Sequence, residues 1–286
     1  MILITDGGST KCDWILLDDT GNVSFRTTTE GLNPSVFPRE EILYRIQSNE
    51  ELQSVFNTVK TVDFYGAGCG TISPRKLLSE VLSLLFVKAK VTVQEDIMAA
   101  VYSVTTEPSI VCILGTGSNS CYFDGESIKT NVDALGYVLM DEASGNYFGK
   151  QLIRDYFYKK MPSDLSSKFE KQYNLSSDVI KMNLYKMPNP NTYLASFAKF
   201  LFSDQDENDY FFKLKNRGIS KFINNHILSY PEAKSVPIHF VGSIAYFSEA
   251  IIRDCLEQHK LEFGKIIKSP IDGLINHYKT NKLKTL

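Results

Sequence analysis

The sequence predicts an α/β protein of about two domains, and three observations support this. Its 286 residues correspond to about two domains of ordinary size. Short runs rich in β-branched and aromatic residues alternate with segments of helical periodicity. A pattern of strand, small-residue turn, strand, acidic-Gly turn and strand occurs twice, beginning near Ile2 and again near Ile110. This repeat indicates a duplicated architecture, although unrelated hairpins also resemble one another.

The order of the elements follows from where the hydrophobic period changes between two and 3.6 residues. The chain opens with a meander of three strands, after which helices and strands alternate. Beyond the second hairpin it is mainly helical, and Pro188–Asn191 is the clearest exposed turn. The predicted strands are Ile2–Thr5, Trp14–Leu17, Val23–Thr28, Val62–Tyr65, Val91–Gln94, Ile110–Leu114, Ser120–Phe123, Ser127–Thr130, Val236–Val241 and Leu261–Ile267. The predicted helices are Glu41–Val55, Arg75–Phe86, Ile97–Ser103, Tyr147–Tyr158, Ser166–Tyr173, Thr192–Phe202, Asn208–Leu228, Ala245–Gln258 and Asp272–Tyr278.

Composition and charge exclude several classes of protein. The chain is 43% hydrophobic and 22% charged, which is ordinary for a globular protein and argues against general disorder. A net charge of −2 gives no overall field to hold nucleic acid or an anionic membrane. No apolar run approaches the roughly 20 residues that span a bilayer. The segment Met1–Asp6 is too short and too soon acidic for a secretory signal, so we expect a cytoplasmic protein.

The cysteines and histidines do not form a recognisable disulfide or zinc pattern. The five cysteines are odd in number and include no C-x-x-C pair, and the four histidines show no H-x-x-x-H spacing. We therefore expect reduced thiols packed mostly in the core and no structural metal site. The cysteines are Cys12, Cys69, Cys112, Cys121 and Cys255, and the histidines are His226, His239, His259 and His277.

The first candidate site is the turn between the first two predicted strands. Glycine and small hydroxyl residues let backbone N–H groups approach an anion closely, and Lys11 adds a positive charge. Asp6 ends a buried strand, where it could hold Mg²⁺ or the water around it. The alternative is a plain hairpin turn capped by Asp6. The turn is not a Walker A loop, and a strand rather than a helix follows it. Its residues are Asp6, Gly7, Gly8, Ser9, Thr10 and Lys11.

A second turn of the same kind opens the second half of the chain. Gly115, Thr116, Gly117 and Ser118 are followed by Asn119 and Ser120, so six positions hold two glycines and four hydroxyl or amide residues. A tight hairpin with polar side chains would also explain this turn alone. Together, the two turns favour a nucleotide bound in a cleft between two domains.

Asp96 lies at the carboxyl end of a predicted strand, where α/β proteins usually bind their ligands. A carboxylate there could accept a proton from an attacking hydroxyl. The alternative is that Asp96 caps the next helix.

Three weaker motifs are the acidic pair Asp141 and Glu142 before a helix, the strand-to-helix turn at Gly242 and Ser243, and Gly66–Gly70, which is either a flexible loop or a hinge.

In this order, the motifs resemble those of the BadF/BadG-type ATPase family that includes N-acetylglucosamine kinase, within the acetate and sugar kinase, heat-shock chaperone and actin superfamily. The first turn is similar to the family's D-G-G-[GS]-T-K motif, and Gly115–Ser118 is identical to its G-T-G-S. Val93–Ala100 resembles V-x-x-D-x-x-A-A around the family's catalytic aspartate. Further similarities are Met140–Gly145 to G-D-E-G-S-G, Gly242–Ala245 to G-S-x-A, Gly31–Asn33 to the sugar-contacting G-L-N loop, and Pro270–Gly273 to P-x-x-G.

The chain also departs from the family pattern, mainly on the sugar side. Ala134-Leu135-Gly136 stands where the family usually has G-W-G, and Met140 and Ala143 replace two glycines. The resemblance therefore leaves open which amino sugar is bound.

The resemblance implies two ribonuclease-H-like (actin-like ATPase) domains facing across a nucleotide cleft. It implies residues 1–108 plus the C-terminal helix at 270–286 as the first domain and 109–269 as the second. ATP and Mg²⁺ are the implied cofactors, with an amino sugar such as N-acetylglucosamine as the substrate and its 6-hydroxyl as the acceptor. A homodimer is compatible with this reading. The implied roles are Asp96 as the base; Asp6 on Mg²⁺ through water; Gly7, Gly8, Ser9, Thr10, Lys11, Gly115, Thr116, Gly117 and Ser118 on the phosphates; Gly242 and Ser243 on adenosine; and Asn33, Thr116, Asp141 and Glu142 on the sugar.

Two alternative functions stay open at the level of sequence. The same family includes ATPase activators of 2-hydroxyacyl-CoA dehydratases, which share an iron–sulfur cluster between two subunits; here the five cysteines are scattered along the chain. A sensor that binds sugar or nucleotide without turnover is the second alternative, against which the candidate base argues.

Overall fold

The computed structural model describes residues 1–8, 10–202 and 208–282. The chain divides into two compact units, one formed by Met1–Val104 with the C-terminal segment from Pro270, the other by Thr105–Ser269. The sequence prediction places this boundary after residue 108. Within the described residues, no helix combines the length and apolarity that a membrane crossing requires.

The first unit is built on a five-stranded mixed sheet with strand order β3-β2-β1-β4-β5. The β1–β2–β3 meander is antiparallel, as predicted, and β4 and β5 add to β1 in parallel. Trp14 is fully buried on this sheet, with its ring centroid 5.9 Å from that of Phe64. The strands are β1 Ile2–Gly7, β2 Lys11–Leu17, β3 Val23–Glu30, β4 Thr61–Gly66 and β5 Lys90–Glu95; the helices are α1 Arg39–Gln47, α2 Glu50–Gln53, α3 Ile72–Leu85 and α4 Asp96–Val104.

The second unit contains a sheet of the same topology, with strand order β10-β9-β6-β7-β8. Again the first three strands in sequence, β6, β7 and β8, form an antiparallel meander, and β9 and β10 add to β6 in parallel. The repeated sequence pattern therefore corresponds to a repeated sheet. The strands are β6 Ser109–Leu114, β7 Ser118–Phe123, β8 Ile128–Lys129, β9 Ile238–Val241 and β10 Phe263–Ile267; the helices are α5 Gly145–Phe157, α6 Ser163–Gln172, α7 Ser177–Tyr185, α8 Pro190–Phe197, α9 Asp209–Asn225, α10 Ser243–Phe247 and α11 Glu249–Gln258.

The C-terminal segment belongs to the first unit. Helix α12, Ile271–His277, packs on α4 and continues into a π-helical turn, Tyr278–Lys282. Tyr278 is fully buried and donates a hydrogen bond of 2.5 Å to Asp63 Oδ2. Its oxygen lies 2.8 Å from the hydroxyl of Tyr65. A buried polar chain thus fixes the C-terminal helix on β4.

Several predicted elements are wrong in extent. The single helix at Glu41–Val55 is two helices, because Asn49 caps α2 by accepting the Leu52 N–H at 3.0 Å. The single helix at Ala245–Gln258 breaks at the buried Ser248. Helix α7 was not predicted. The turn at Pro188–Asn191 is exposed only at Pro188, since α8 begins at Pro190.

Candidate functional site

The carboxyl ends of three parallel strands bring acidic side chains to one edge of the first sheet. In its register, Gly7 of β1 lies beside Gly66 of β4, which lies beside Glu95 of β5. Asp6 precedes Gly7, and Asp96 follows Glu95 as the first residue of α4. Asp6 and Asp96 interact electrostatically. The structure therefore brings together the predicted metal-binding carboxylate and the predicted base.

Both carboxyl groups hold a proton more tightly than a free aspartate does. Burial raises the pKa of Asp96 to about 7, with further contributions from the charges of Glu95 and Asp6. Burial and the charge of Asp13 raise the pKa of Asp6 to about 6, against the opposing effect of Lys11. A carboxyl whose pKa lies near neutral pH is suited to general base catalysis.

The turn between β1 and β2 is closed by backbone hydrogen bonding. The Gly8 N–H donates to the Lys11 carbonyl at 2.8 Å. The Lys11 ammonium lies 2.6 Å from the carboxylate of Asp13, which is opposite Asp6 in the sheet register. Lys11 remains half exposed, so a positive charge is held beside the turn. Ser9, predicted to bind phosphate, lies outside the described residues.

Asn33 packs against the loop that follows β4. Asn33 is buried, and its Oδ1 accepts the Ser35 N–H at 2.9 Å. Gly68 has a φ of +79°, and a Cβ there would lie 2.0 Å from Asn33 Oδ1, so this position requires glycine. Arg75 Nε donates to the Cys69 carbonyl at 3.0 Å. The loop predicted as flexible or a hinge is therefore anchored on both sides.

In the second unit, the Gly115–Ser118 turn is held by the segment before α5. The N–H of Gly145 donates to the Gly115 carbonyl at 2.8 Å, and the N–H of Asn146 donates to the Thr116 carbonyl at 3.0 Å. Asp141 Oδ1 accepts the Ser118 N–H at 3.3 Å. These contacts bring the second predicted phosphate turn together with a predicted sugar residue.

The Asp141 carboxylate is also held by its own segment. Its Oδ2 accepts from Asn146 Nδ2 at 2.7 Å. Burial raises the pKa of Asp141, and these hydrogen bonds oppose the shift. Ala143, which stands in place of a family glycine, has a φ of +57°. This left-handed conformation is one that glycine adopts more readily than alanine.

Glu142 points to the end of α9. Its Oε1 accepts from Asn225 Nδ2 at 3.1 Å, and its Oε2 lies 3.4 Å from His226 Nε2. Hydrogen bonding from His226 lowers the pKa of Glu142, so this carboxylate is ionised at neutral pH. No local sequence pattern links His226 or Asn225 to Glu142, because more than 80 residues separate them from it.

Gly242 lies in a close contact at the end of β9. Its φ is +124°, and a Cβ there would lie 2.3 Å from the Leu114 carbonyl oxygen. Ser243 begins α10 and is exposed. Tyr246 and Phe247, three and four residues further, are also exposed and lie near Ser243 on the helix surface. This turn is therefore accessible, and its adenosine-binding role stays a prediction.

Comparison with solved structures gives matches over the whole chain. A Porphyromonas gingivalis protein, whose structure bears the description "Putative N-acetylglucosamine Kinase", is 34% identical; the match covers 99% of this chain and 100% of that one, with a TM-score of 0.91. The chain belongs to the family of that protein.

More distant structures share the fold alone. A Chromobacterium violaceum protein with the same description is 15% identical and covers 96% of this chain and 98% of its own, with a TM-score of 0.71. A ROK-family glucokinase from Streptomyces griseus, in complex with glucose and AMPPNP, is 12% identical. That match covers 96% of this chain and 97% of the glucokinase, with a TM-score of 0.57. These matches confirm the predicted actin-like, two-domain α/β fold of sugar kinases. No family profile and no curated protein sequence matches the chain.

Proposed function

We propose that this member of the family is an ATP-dependent carbohydrate kinase that phosphorylates an amino sugar, such as N-acetylglucosamine, at its 6-hydroxyl. The observation that carries the proposal is the Asp96 carboxyl at the end of β5, with a pKa raised to about 7 beside Asp6. The 34% identity to the Porphyromonas gingivalis protein over the whole chain supports the sugar kinase class.

Asp96 would act as the general base. As the hydroxyl oxygen attacks the γ-phosphorus, its proton passes to the Asp96 carboxylate while the bond from the γ-phosphorus to the ADP oxygen breaks. A base of this kind contributes about 10²–10⁴ in rate. Most of the remaining acceleration in phosphoryl transfer comes from positioning and charge stabilisation.

We assign the phosphate contacts to the two Gly-rich turns, because turns of this composition can present backbone N–H groups to an anion. The N–H groups of Gly8, Gly115 and Ser118 donate to acceptors of the protein itself. Gly7, Gly8, Thr10 and Lys11 belong to one turn, which also carries a positive charge. Gly115, Thr116, Gly117 and Ser118 belong to the other, whose shape is fixed by Asp141. The bound AMPPNP in the Streptomyces griseus glucokinase supports ATP as the nucleotide for this fold.

The residues present fit Mg²⁺ bound largely through water. Within the part of the chain that the structure describes, no group of three or more His, Cys, Asp or Glu side chains could enclose a metal ion. Mg²⁺ usually keeps several waters and binds through one or two carboxylates together with substrate phosphates. Asp6, with Asp13 opposite it, supplies such carboxylates. The cation would neutralise charge on the phosphates.

Asn33, Thr116, Asp141 and Glu142 are the proposed sugar contacts. A site that hydrogen-bonds sugar hydroxyls rejects analogues that lack them, because its polar groups are then left unpaired. The internal hydrogen bonds of Asp141 give it a second role, the shaping of the Gly115–Ser118 turn.

The test is an ADP-release assay with Mg-ATP against a panel of amino sugars, with the products identified by mass spectrometry. The Asp96→Asn variant, purified in the same way, controls for contaminating kinases. We expect sugar-dependent ADP release and a sugar 6-phosphate. ADP release that ignores every sugar would contradict the proposal and favour an ATPase acting on a partner. ATP binding without ADP release would favour a sensor.

The five cysteines are all buried, which disfavours the iron–sulfur cluster that a dehydratase activator shares between two subunits.

A further inference from the structure

Glu142 is held by two donors from a distant part of the second unit. Asn225 Nδ2 donates to Oε1 at 3.1 Å, and His226 Nε2 lies 3.4 Å from Oε2. The Glu142 side chain keeps 18% of its surface exposed, whereas that of His226 keeps 3%. The partly exposed carboxylate of Glu142 is thus held by the buried imidazole ring of His226.

Asn225 and His226 both contact the Glu142 carboxylate from the end of α9. The helix ends at Asn225, and His226 follows it in the right-handed helical region, with its N–H donating to the Phe222 carbonyl at 2.8 Å. The His226 ring is stacked on Phe222, with centroids 4.6 Å apart and planes at 15°. Packing therefore sets the direction of the ring.

The hydrogen bonding of His226 defines its tautomer. Within the described part of the chain, the buried Nδ1 has no hydrogen-bond partner. A neutral ring protonated on Nδ1 would bury an unpaired donor and turn the Nε2 lone pair towards a carboxylate. The Nε2–H tautomer instead donates to Glu142. The ring then has one directed polar contact, and that contact is with Glu142.

We propose that His226 and Asn225 are positioning residues that fix the Glu142 carboxylate to accept hydroxyl groups of the acceptor sugar. The inference rests on the proposed kinase function. We call Asn225 and His226 together the clamp. Each oxygen of the Glu142 carboxylate has a second lone-pair site beyond the one that the clamp uses. Two neighbouring hydroxyl donors on one sugar ring match two such sites. A carboxylate that is already fixed loses little conformational freedom when the sugar binds.

A purely structural role for the pair would give a different result from a positioning role. If His226 only stabilises the end of α9, its loss lowers stability and affects the kinetics of both substrates together. If it acts through Glu142, its loss raises the KM for the sugar and leaves the KM for ATP unchanged. A side chain that restores the donor near the Nε2 position should then restore the sugar KM.

The experiment measures kcat and both KM values for the unaltered chain and four single variants, with the preferred sugar of the panel. We expect His226→Leu to raise the sugar KM about tenfold, and His226→Gln to stay within about twofold of the unaltered chain. Asn225 is exposed, so Asn225→Ala tests the clamp without disturbing the core; we expect a rise of about threefold. Asn224→Ala is the matched control, since Asn224 bonds to the Ser220 carbonyl and should leave all constants unchanged.

A double variant completes the test. If His226 acts through Glu142, then His226→Leu combined with Glu142→Gln is no worse than Glu142→Gln alone. Three results would overturn the inference and leave the proposed function intact. They are additive losses in the double variant, an unchanged sugar KM in both His226→Leu and Asn225→Ala, and equal changes in the KM values for sugar and ATP. Absence of sugar-dependent ADP release from the unaltered chain would overturn the proposed function, and the inference with it.

Discussion

At the scale of single residues, the surroundings of Asp96 fit both of the roles that its sequence position predicts, the helix cap and the proposed base. It is the first residue of α4, and its carboxyl accepts the backbone N–H of Ile97, as a helix-terminal aspartate does. It also lies beside Asp6 with a raised pKa. The two readings do not exclude each other, because a carboxylate has lone pairs for both a backbone donor and a reacting hydroxyl.

Asp96→Asn should therefore bind ATP and sugar but lose about 10²–10⁴ in kcat, because an amide cannot accept the proton. The protein should remain folded, since the change removes a charge whose burial is unfavourable. Steady-state kinetics measures the loss, and calorimetry with ATP tests whether binding is retained. A variant with near-normal kcat would show that Asp96 is not the base.

Glu95→Gln should move the acid limb of the pH–rate profile to lower pH. The charge of Glu95 helps to raise the pKa of Asp96, so its removal lowers that pKa. The base is active when ionised and loses activity as the pH falls through its pKa, so the lower pKa keeps it active in more acidic solution. The measurement is kcat/KM for the sugar from about pH 5 to 9. Glu40→Gln, on the exposed surface of α1, is the control and should keep the original profile. An unmoved limb would mean that another group controls it.

The sequence identifies residues in local motifs better than their distant supports. Asp96 and Asp141 lie in recognisable patterns next to strand ends or turns. Arg75, which anchors the loop after β4, and His226, which holds Glu142, carry no local signal. Their partners are set by tertiary packing, which spacing along the chain does not encode.

At the scale of elements, the β6–β7 turn depends on Gly117. A Cβ at Gly117 would lie 3.0 Å from Asp141 Oδ2, closer than ordinary contacts allow. Gly117→Val should therefore displace Asp141, distort the Ser118 N–H and abolish detectable ATP binding by calorimetry. Gly115→Ala is the comparison: its Cβ meets no atom within 4 Å, so we expect a smaller loss. Equal affinity for ATP in Gly117→Val and the unaltered chain would contradict a phosphate role for this turn.

Hydrophobic period predicts the presence of an element better than its continuity. The pattern in Glu41–Val55 continues across Ser48 and Asn49, although a side-chain cap restarts the helix there. The pattern in Ala245–Gln258 likewise continues across Ser248, a buried residue that separates α10 from α11 without a side-chain cap. A polar residue within an apolar pattern is compatible with either a continuous helix or a cap, and only the backbone path distinguishes them.

At the scale of the whole molecule, the repeated sequence pattern predicts a repeated sheet, and the two strand orders confirm it. The return of the C-terminal segment to the first unit comes instead from the family resemblance, since no local pattern in Pro270–Gly273 specifies its partner. In the structure that partner is a buried polar chain. Tyr278 donates to Asp63, and Tyr65 therefore donates to Tyr278.

Tyr278→Phe tests how much this chain contributes to the first unit. The change removes the hydrogen bond that the Tyr278 hydroxyl donates to Asp63 and the one that it accepts from Tyr65, both in a buried site. We expect a loss of about 1–3 kcal/mol in the free energy of unfolding. The single tryptophan, Trp14, is buried in the first unit, so its fluorescence during urea denaturation reports on that unit. Tyr44→Phe is the matched control, because Tyr44 belongs to the same unit and is 66% exposed. If both variants unfold at the urea concentration of the unaltered chain, the C-terminal helix is held by its apolar contacts with α4 alone.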